Sequence, residues 1–217
     1  MIECSMEKNF KAVVFDMDGV LIDSERLWHE AQIKTFAEMG KIVTKEMLVS
    51  SMGLRVGDLI DYWFERLKID NFDKEEGCNR ILDGVTKLIW EKGEAETGAV
   101  EAVKKLHDNG YRLALASSSA MRIINVVLEK LGIKEYFEII LTGDDEKRGK
   151  PFPDIYLTAI EKLGLEAKDC MVVEDSINGV KAAKAAGLYC IAVPNRDIKD
   201  RDGFKIADRI VDNLSMI

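Results

Sequence analysis

Asp16 and Asp18 stand one residue apart in Phe15-Asp16-Met17-Asp18-Gly19-Val20-Leu21, directly after the apolar run Ala12-Val13-Val14-Phe15. A short β-branched run bounded by polar residues and a glycine predicts a buried strand. That strand ends in two carboxylates. Two negative charges held so close repel strongly where water is scarce. A divalent cation between them relieves the repulsion, and so does a proton on one of them. An aspartate in this setting can also attack phosphorus as a nucleophile. The bland alternative is turn chemistry, since Asp-x-Asp-Gly also suits a helix cap followed by a turn.

Three further polar sets sit at comparable places. Ser117, Ser118 and Ser119 follow Leu113-Ala114-Leu115-Ala116. Lys150 stands in Gly149-Lys150-Pro151, where it opens the helix after an apolar run at 138–142. Glu174 and Asp175 follow Met171-Val172-Val173. Taken singly, these read as a helix-cap serine, a solvated lysine and loop acids. Together they deliver acid, hydroxyl and ammonium groups from four segments to one edge. In an open α/β sheet, that edge, outside the carboxyl ends of the strands, is where ligands bind.

The elements that must position these groups are legible as five apolar runs, at 11–16, 111–116, 138–142, 170–174 and 189–193. The last four alternate with amphipathic helical patterns. Gly40, Gly110, Gly132, Gly164 and Gly187 each follow such a pattern, as helix-terminating glycines do. Pro153 falls where a first-turn proline is tolerated. The reading is a doubly wound, Rossmann-like parallel sheet of five or more strands, covered by helices on both faces. Residues 25–94 break the alternation. Helices are expected at 25–39, 44–52, 56–68 and 73–92, with Ser24 and Thr44 as N-caps and no strand among them. An inserted all-helical cap domain is therefore expected at 25–94, with a core domain formed by 1–24 and 95–217. Hinges are expected near Ile22–Glu25 and Glu94–Gly98.

The chain has 217 residues, 47% hydrophobic, and a net charge of -8. It can bury a real core plus a smaller second unit. Its acidity argues against nucleic-acid or anionic-membrane partners. No apolar run approaches the roughly 20 residues of a membrane span, and a signal-peptide core is lacking. Cys4, Cys78, Cys170 and Cys190 form no C-x-x-C pair and read as bystander thiols of a cytoplasmic protein. A monomer is the default expectation.

The four polar segments together resemble the haloacid dehalogenase superfamily of phosphotransferases over essentially the whole chain. Asp16-Met17-Asp18-Gly19-Val20 resembles its first motif and Leu115-Ala116-Ser117 its second. Lys150-Pro151-x-Pro153-Asp154 resembles the third, and Val173-Glu174-Asp175-Ser176-x-x-Gly179 the fourth. The likeness is nearest to sugar-phosphate phosphatases similar to 2-deoxyglucose-6-phosphate phosphatase, and to β-phosphoglucomutase. Asp23-Ser24-Glu25-x-Leu27-Trp28 and Met52-Gly53-Leu54-Arg55 are most like the former. The resemblance implies an aspartyl phosphate on Asp16 and general acid–base work by Asp18. It implies Mg2+ held by Asp16, the Asp18 carbonyl and Asp175, with Glu174 beside it. Ser117 and the Ser118 amide would hold a phosphoryl oxygen, and Lys150 would balance charge. Crowding of the carboxylates is expected to raise one pKa and so supply the acid's proton. Asp144 and Asp145 read equally as partners of the metal site and as solvated turn residues.

Within the cap, Arg55 is a candidate cationic contact to substrate. Trp28 would stack on a substrate ring or staple its helix. Trp63 and Trp90 read as cap core, and His107 as a surface residue. Mutases of this family carry a histidine at the position of Trp28. His29, one residue on, is rotated by about 100° and is expected to face away from the site. The implied function is a Mg2+-dependent phosphatase of small phosphorylated sugars or polyols. A β-phosphoglucomutase is the alternative, and a silent phosphometabolite-binding protein is a third.

Overall fold

The computed structural model describes residues 10–51, 53–194 and 201–217; Cys4 and Met52 lie outside them. β1 (Ala12–Phe15), β2 (Arg112–Ser117), β3 (Ile139–Thr142), β4 (Cys170–Glu174) and β5 (Tyr189–Ala192) fall on the five apolar runs. A two-residue β6 (Arg209–Ile210) adds an edge that is too short for any sequence periodicity to reveal. All neighbours pair in parallel, in the order β3-β2-β1-β4-β5-β6. From β1 the chain first builds outward through β2 and β3, then crosses back to build β4, β5 and β6. The order therefore reverses between β1 and β4, and the carboxyl ends of those two strands carry Asp16 and Glu174-Asp175.

Strand alternation sorts the core into two layers. Val13, Phe15, Leu113, Leu115, Met171 and Val173 face one layer, with α5 (Ala99–Asp108) and α6 (Met121–Leu131). Ala12, Val14, Ala114, Ala116, Val172 and Ala192 face the other, with α7 (Asp154–Leu163) and α8 (Ile177–Ala185). The many alanines of the second face let those helices approach the sheet closely.

Between β1 and α5 the regular elements of the described chain are all helices: α1 (Glu25–Glu38), α2 (Lys45–Leu48), α3 (Val56–Leu67) and α4 (Lys74–Lys92). A short 3-10 turn at Val49–Ser51 continues α2. α4 packs on α1, α3 and α6, which joins this layer to the sheet. Trp63 is fully buried there, and its indole N–H donates to Ser51 Oγ at 3.0 Å. Trp90, expected in the core, is 57% exposed. The buried stripe of α4 runs Ile81, Leu82, Val85 and Ile89, which leaves the next position outside. The two connections between sheet and helices lie side by side. The Asp23 N–H donates to Glu94 O at 2.9 Å, and the Glu96 N–H to Leu21 O at 3.1 Å. Among the described residues no helix is long and apolar enough to cross a membrane. Cys170 and Cys190 are buried, Cys78 is partly so, and all three are free.

Candidate active site

Asp16 follows β1, and its N–H extends the β1–β4 ladder by donating to Val173 O at 3.0 Å. Its carboxylate meets Lys150, whose Nζ donates to Asp16 Oδ1 at 2.6 Å, Glu174 Oε1 at 2.5 Å and Ala116 O at 3.3 Å. Lys150 lies in the loop four residues ahead of α7, not in the helix itself. It is a buried ammonium between two buried carboxylates. Glu174 is fully enclosed and takes five donors. Lys150 and the Tyr156 hydroxyl (2.7 Å) bond Oε1. The N–H groups of Asp175 and Ser176 (each 3.0 Å) and Ser176 Oγ (3.1 Å) bond Oε2. Gly179 makes room for it, since a Cβ there would lie 1.7 Å from Glu174 Oε1.

Burial pushes the Asp16 carboxyl up to about 8, with Lys150 opposing and Glu174 and Asp18 reinforcing the rise. Burial, then Glu174 and Asp16, hold Asp175 well above the ordinary range. Burial works against the charge on Lys150, but Asp16 and Glu174 outweigh it and raise its pKa. Burial first, and the neighbouring carboxylates second, raise the proton affinity of Asp16 and Asp175.

Oxygens of Asp16, Glu174 and Asp175 lie within 4.8 Å of one another. Three buried carboxyl groups face one ammonium, so without a cation the cluster must either hold protons or carry excess negative charge. This suits a hard divalent cation with oxygen ligands. Both oxygens of Glu174 are already bonded, so Asp16 and Asp175 are better placed to bind one directly. Asp175 lies against the loop after β1, where Gly19 has φ +75° and a Cβ would fall 2.1 Å from Asp175 Oδ2. The side chain of Asp18 is not in this cluster. Ser24 Oγ (2.5 Å) and the Trp28 indole N–H (2.9 Å) donate to its Oδ1, and Ser119 Oγ (2.6 Å) to its Oδ2. Ser24 precedes α1 as expected but makes no cap bond, and neither does Thr44 before α2. Trp28 lines the cavity and packs against the core, and its indole N–H holds Asp18.

A cavity of about 90 Å³ lies between sheet and helices. Asp16, Asp18, Ser117, Ser118, Lys150 and Asp175 line one side. Ser117 Oγ also accepts the Ser119 N–H at 3.1 Å. Glu25, Trp28, His29 and Gln32 of α1 line the other side. His29 therefore borders the site after all, because the wall runs for two turns of α1. Arg55 does not line it. Its Nε and Nη2 donate to Asp58 (2.6 and 3.1 Å), and its Nη1 to the carbonyls of Gly143 and Glu146 (3.3 and 2.9 Å). It ties the loop before α3 to the turn after β3. Asp144 and Asp145 are exposed in that turn and do not line the cavity. Tyr156 and Gln32 escape a reading of the sequence, because a buried aromatic and a mid-helix amide look like packing residues.

The haloacid dehalogenase-like hydrolase pattern matches residues 10–187. The chain belongs to that family of enzymes. Among its relatives, Hexitol phosphatase B of Escherichia coli (strain K12) is 31% identical over 212 residues, 97% of this chain and 96% of that protein. The Phosphorylated carbohydrates phosphatase of Thermotoga maritima is 35% identical over 182 residues, 82% of each. A solved structure of a CbbY mutant from Rhodobacter sphaeroides, in complex with xylulose-(1,5)bisphosphate, superposes with a TM-score of 0.87 at 27% identity, covering 95% of both chains. The sheet order and helix placement described above are thus those of a haloacid dehalogenase-like hydrolase.

Proposed function

We propose that this hydrolase is a Mg2+-dependent phosphatase of small phosphorylated sugars or polyols, acting through an aspartyl phosphate on Asp16. The observation that carries the reading is the Asp16–Lys150–Asp175 arrangement at the β1/β4 reversal: a buried carboxylate, an ammonium 2.6 Å from it, and a second buried aspartate. Mg2+ held by Asp16 and Asp175, with the Asp18 carbonyl, would neutralise charge on the phosphoryl group and keep both carboxylates unprotonated. The free oxygen of Asp16 attacks phosphorus in line, and the bond to the leaving oxygen breaks. Asp18, carrying a proton, gives it to that oxygen. Water then attacks the acyl phosphate while Asp18 takes a proton from it, and phosphate departs. Ser24, Trp28 and Ser119 aim the Asp18 carboxyl throughout. Ser117 and the Ser118 N–H hold a phosphoryl oxygen, and Lys150 offsets its charge. This is positioning plus electrostatic stabilisation, the main means of phosphoryl-transfer catalysis.

Residues 25–94 act in this reading as a cap over a core of 1–24 and 95–217. The cavity measures only about 90 Å³. Ligand pockets usually span about 300–1,000 Å³, so the cap must open to admit substrate and close to exclude water. Arg55 is then a latch between cap and core. Hydrolysis is favoured over mutase transfer because the cap side chain on Asp18 is the Trp28 indole, which donates a hydrogen bond but carries no exchangeable base.

The test is phosphate release from p-nitrophenyl phosphate and from roughly a hundred phosphorylated metabolites, with Mg2+ and with EDTA. Metal-dependent release, strongest on sugar or polyol phosphates, supports the reading. No release from any of them overturns it. Rapid conversion of β-glucose 1-phosphate to glucose 6-phosphate with catalytic glucose 1,6-bisphosphate and little free phosphate would establish the mutase instead.

A further inference from the structure

α1 turns one face to the cavity, with Glu25, Trp28, His29 and Gln32 at i, i+3, i+4 and i+7. Trp28 is committed to Asp18, and His29 Nε2 lies 3.7 Å from Glu25 Oε1. Gln32 differs from its neighbours. It is 4% exposed, and its Oε1 is the sole buried side-chain polar atom without a hydrogen-bond partner among the described residues. A buried amide oxygen without a donor weakens the fold, and native chains rarely keep one without a reason. The reason here is its place. Gln32 stands on the helical wall of the cavity whose opposite wall carries Asp16 and Lys150.

We propose that Gln32 is a specificity-determining residue whose Oε1 accepts a hydrogen bond from a hydroxyl on the carbon chain of the substrate. The inference rests on the phosphatase reading of the same cavity. The chemistry selects the ligand class. A phosphate dianion offers only acceptor oxygens, which a carbonyl oxygen repels. An apolar leaving group leaves Oε1 unpaired. A sugar or polyol hydroxyl both donates and accepts, so it satisfies either end of an amide. The phosphate end is drawn to Lys150 and the serines, which leaves the hydroxylated carbon chain to reach α1. Discrimination then comes from pairing a buried polar group that an unhydroxylated substrate leaves bare.

The test compares the full-length wild type with Gln32→Leu and Gln32→Met, in Mg2+, on sorbitol 6-phosphate, glucose 6-phosphate and p-nitrophenyl phosphate. Melting temperatures are measured alongside. The ratio of kcat/KM on the hydroxylated phosphates to that on p-nitrophenyl phosphate should fall about three- to tenfold in both variants, the worth of one neutral hydrogen bond. Their melting temperatures should equal or exceed that of the wild type, because an orphaned polar atom is gone. If the wild type turns over all three substrates and the variants keep its ratio, the Gln32 assignment fails and the phosphatase reading stands. Melting temperatures several degrees lower in both variants would make the amide structural and overturn the assignment as well. If the wild type acts on p-nitrophenyl phosphate alone, the hydroxylated substrate class falls together with Gln32. If it acts on none of the three and on nothing in the wider phosphate panel, the phosphatase reading itself falls.

Discussion

Gly179→Ala should unseat the buried glutamate on which Lys150 depends. The new Cβ would lie 1.7 Å from Glu174 Oε1, 1.9 Å from its Cδ and 2.2 Å from Oε2. No real Cβ tolerates such contacts, so either the carboxylate or α8 must move by more than an ångström. The carboxylate is held by Lys150, Tyr156, two backbone N–H groups and Ser176 Oγ. Breaking a buried ion pair by displacing one partner costs about 3–5 kcal/mol. Alanine in place of glycine returns at most about 1 kcal/mol of helix propensity. The net loss is then about 2–4 kcal/mol. For a chain of this size each kcal/mol shifts the melting temperature by about 2–4 °C, so a fall of about 4–16 °C is expected. Gly57→Ala is the matched control, because Gly57 lies in α3 and a Cβ there would meet nothing within 4 Å. Its melting temperature should stay level or rise slightly. Thermal melts followed by circular dichroism decide the matter. If Gly179→Ala melts with Gly57→Ala, Glu174 is not the tightly held buried charge described above.

Asp16→Asn should keep its circular dichroism spectrum and lose all but about one part in 10⁴ of its turnover, since an amide cannot form the acyl phosphate; activity above that level in clean protein refutes the nucleophile. Arg55→Ala should lower kcat/KM about 5- to 30-fold, the loss from removing about 1–2 kcal/mol of latch bonds. The loss should be similar for sugar phosphates and p-nitrophenyl phosphate, because Arg55 bonds Gly143 and Glu146 rather than lining the cavity; a loss confined to sugar phosphates would restore Arg55 as a substrate contact. The metal-free protein should lose stability as pH rises. Asp16 titrates at about 8 in the fold against an ordinary value of 3.8, so between those values the folded chain binds the extra proton. The slope is at most about 1.4 kcal/mol per pH unit for this group. Mg2+ must displace that proton, so its stabilising shift in melting temperature should be larger at pH 8 than at pH 6; an equal or smaller shift at pH 8 contradicts the scheme.

Much of the fold and site is legible in the chain because the signals are local. Each apolar run of four or more residues forms a strand, and the polar groups at the ends of β1, β2 and β4 meet at one edge. β6 is not legible, because two residues carry no period. Partner choice is also hidden. Ser24 occupies the cap position that its residue type suggests, yet its hydroxyl turns to Asp18, six residues back, where a carboxylate offers a stronger bond than a backbone N–H. Trp28 and Arg55 suit substrate contacts by residue type, and each also has a protein partner, Asp18 and the turn after β3, that residue type alone does not reveal. Trp90 departs from expectation because apolarity alone does not say which side of a long helix a residue faces. Gln32 gives no signal at all, because an orphaned oxygen is a property of the packed structure.

The central claim, hydrolysis through an aspartyl phosphate on Asp16, is tested most directly by a rapid acid quench. The protein is mixed with Mg2+ and a ³²P-labelled hexitol or hexose 6-phosphate identified as a substrate, quenched within a single turnover, and digested. Label is expected on the peptide that contains Asp16, chased into free phosphate by water and missing in Asp16→Asn. Turnover with no label on the protein, label on any other residue, or label passing back to sugar instead of water would contradict it.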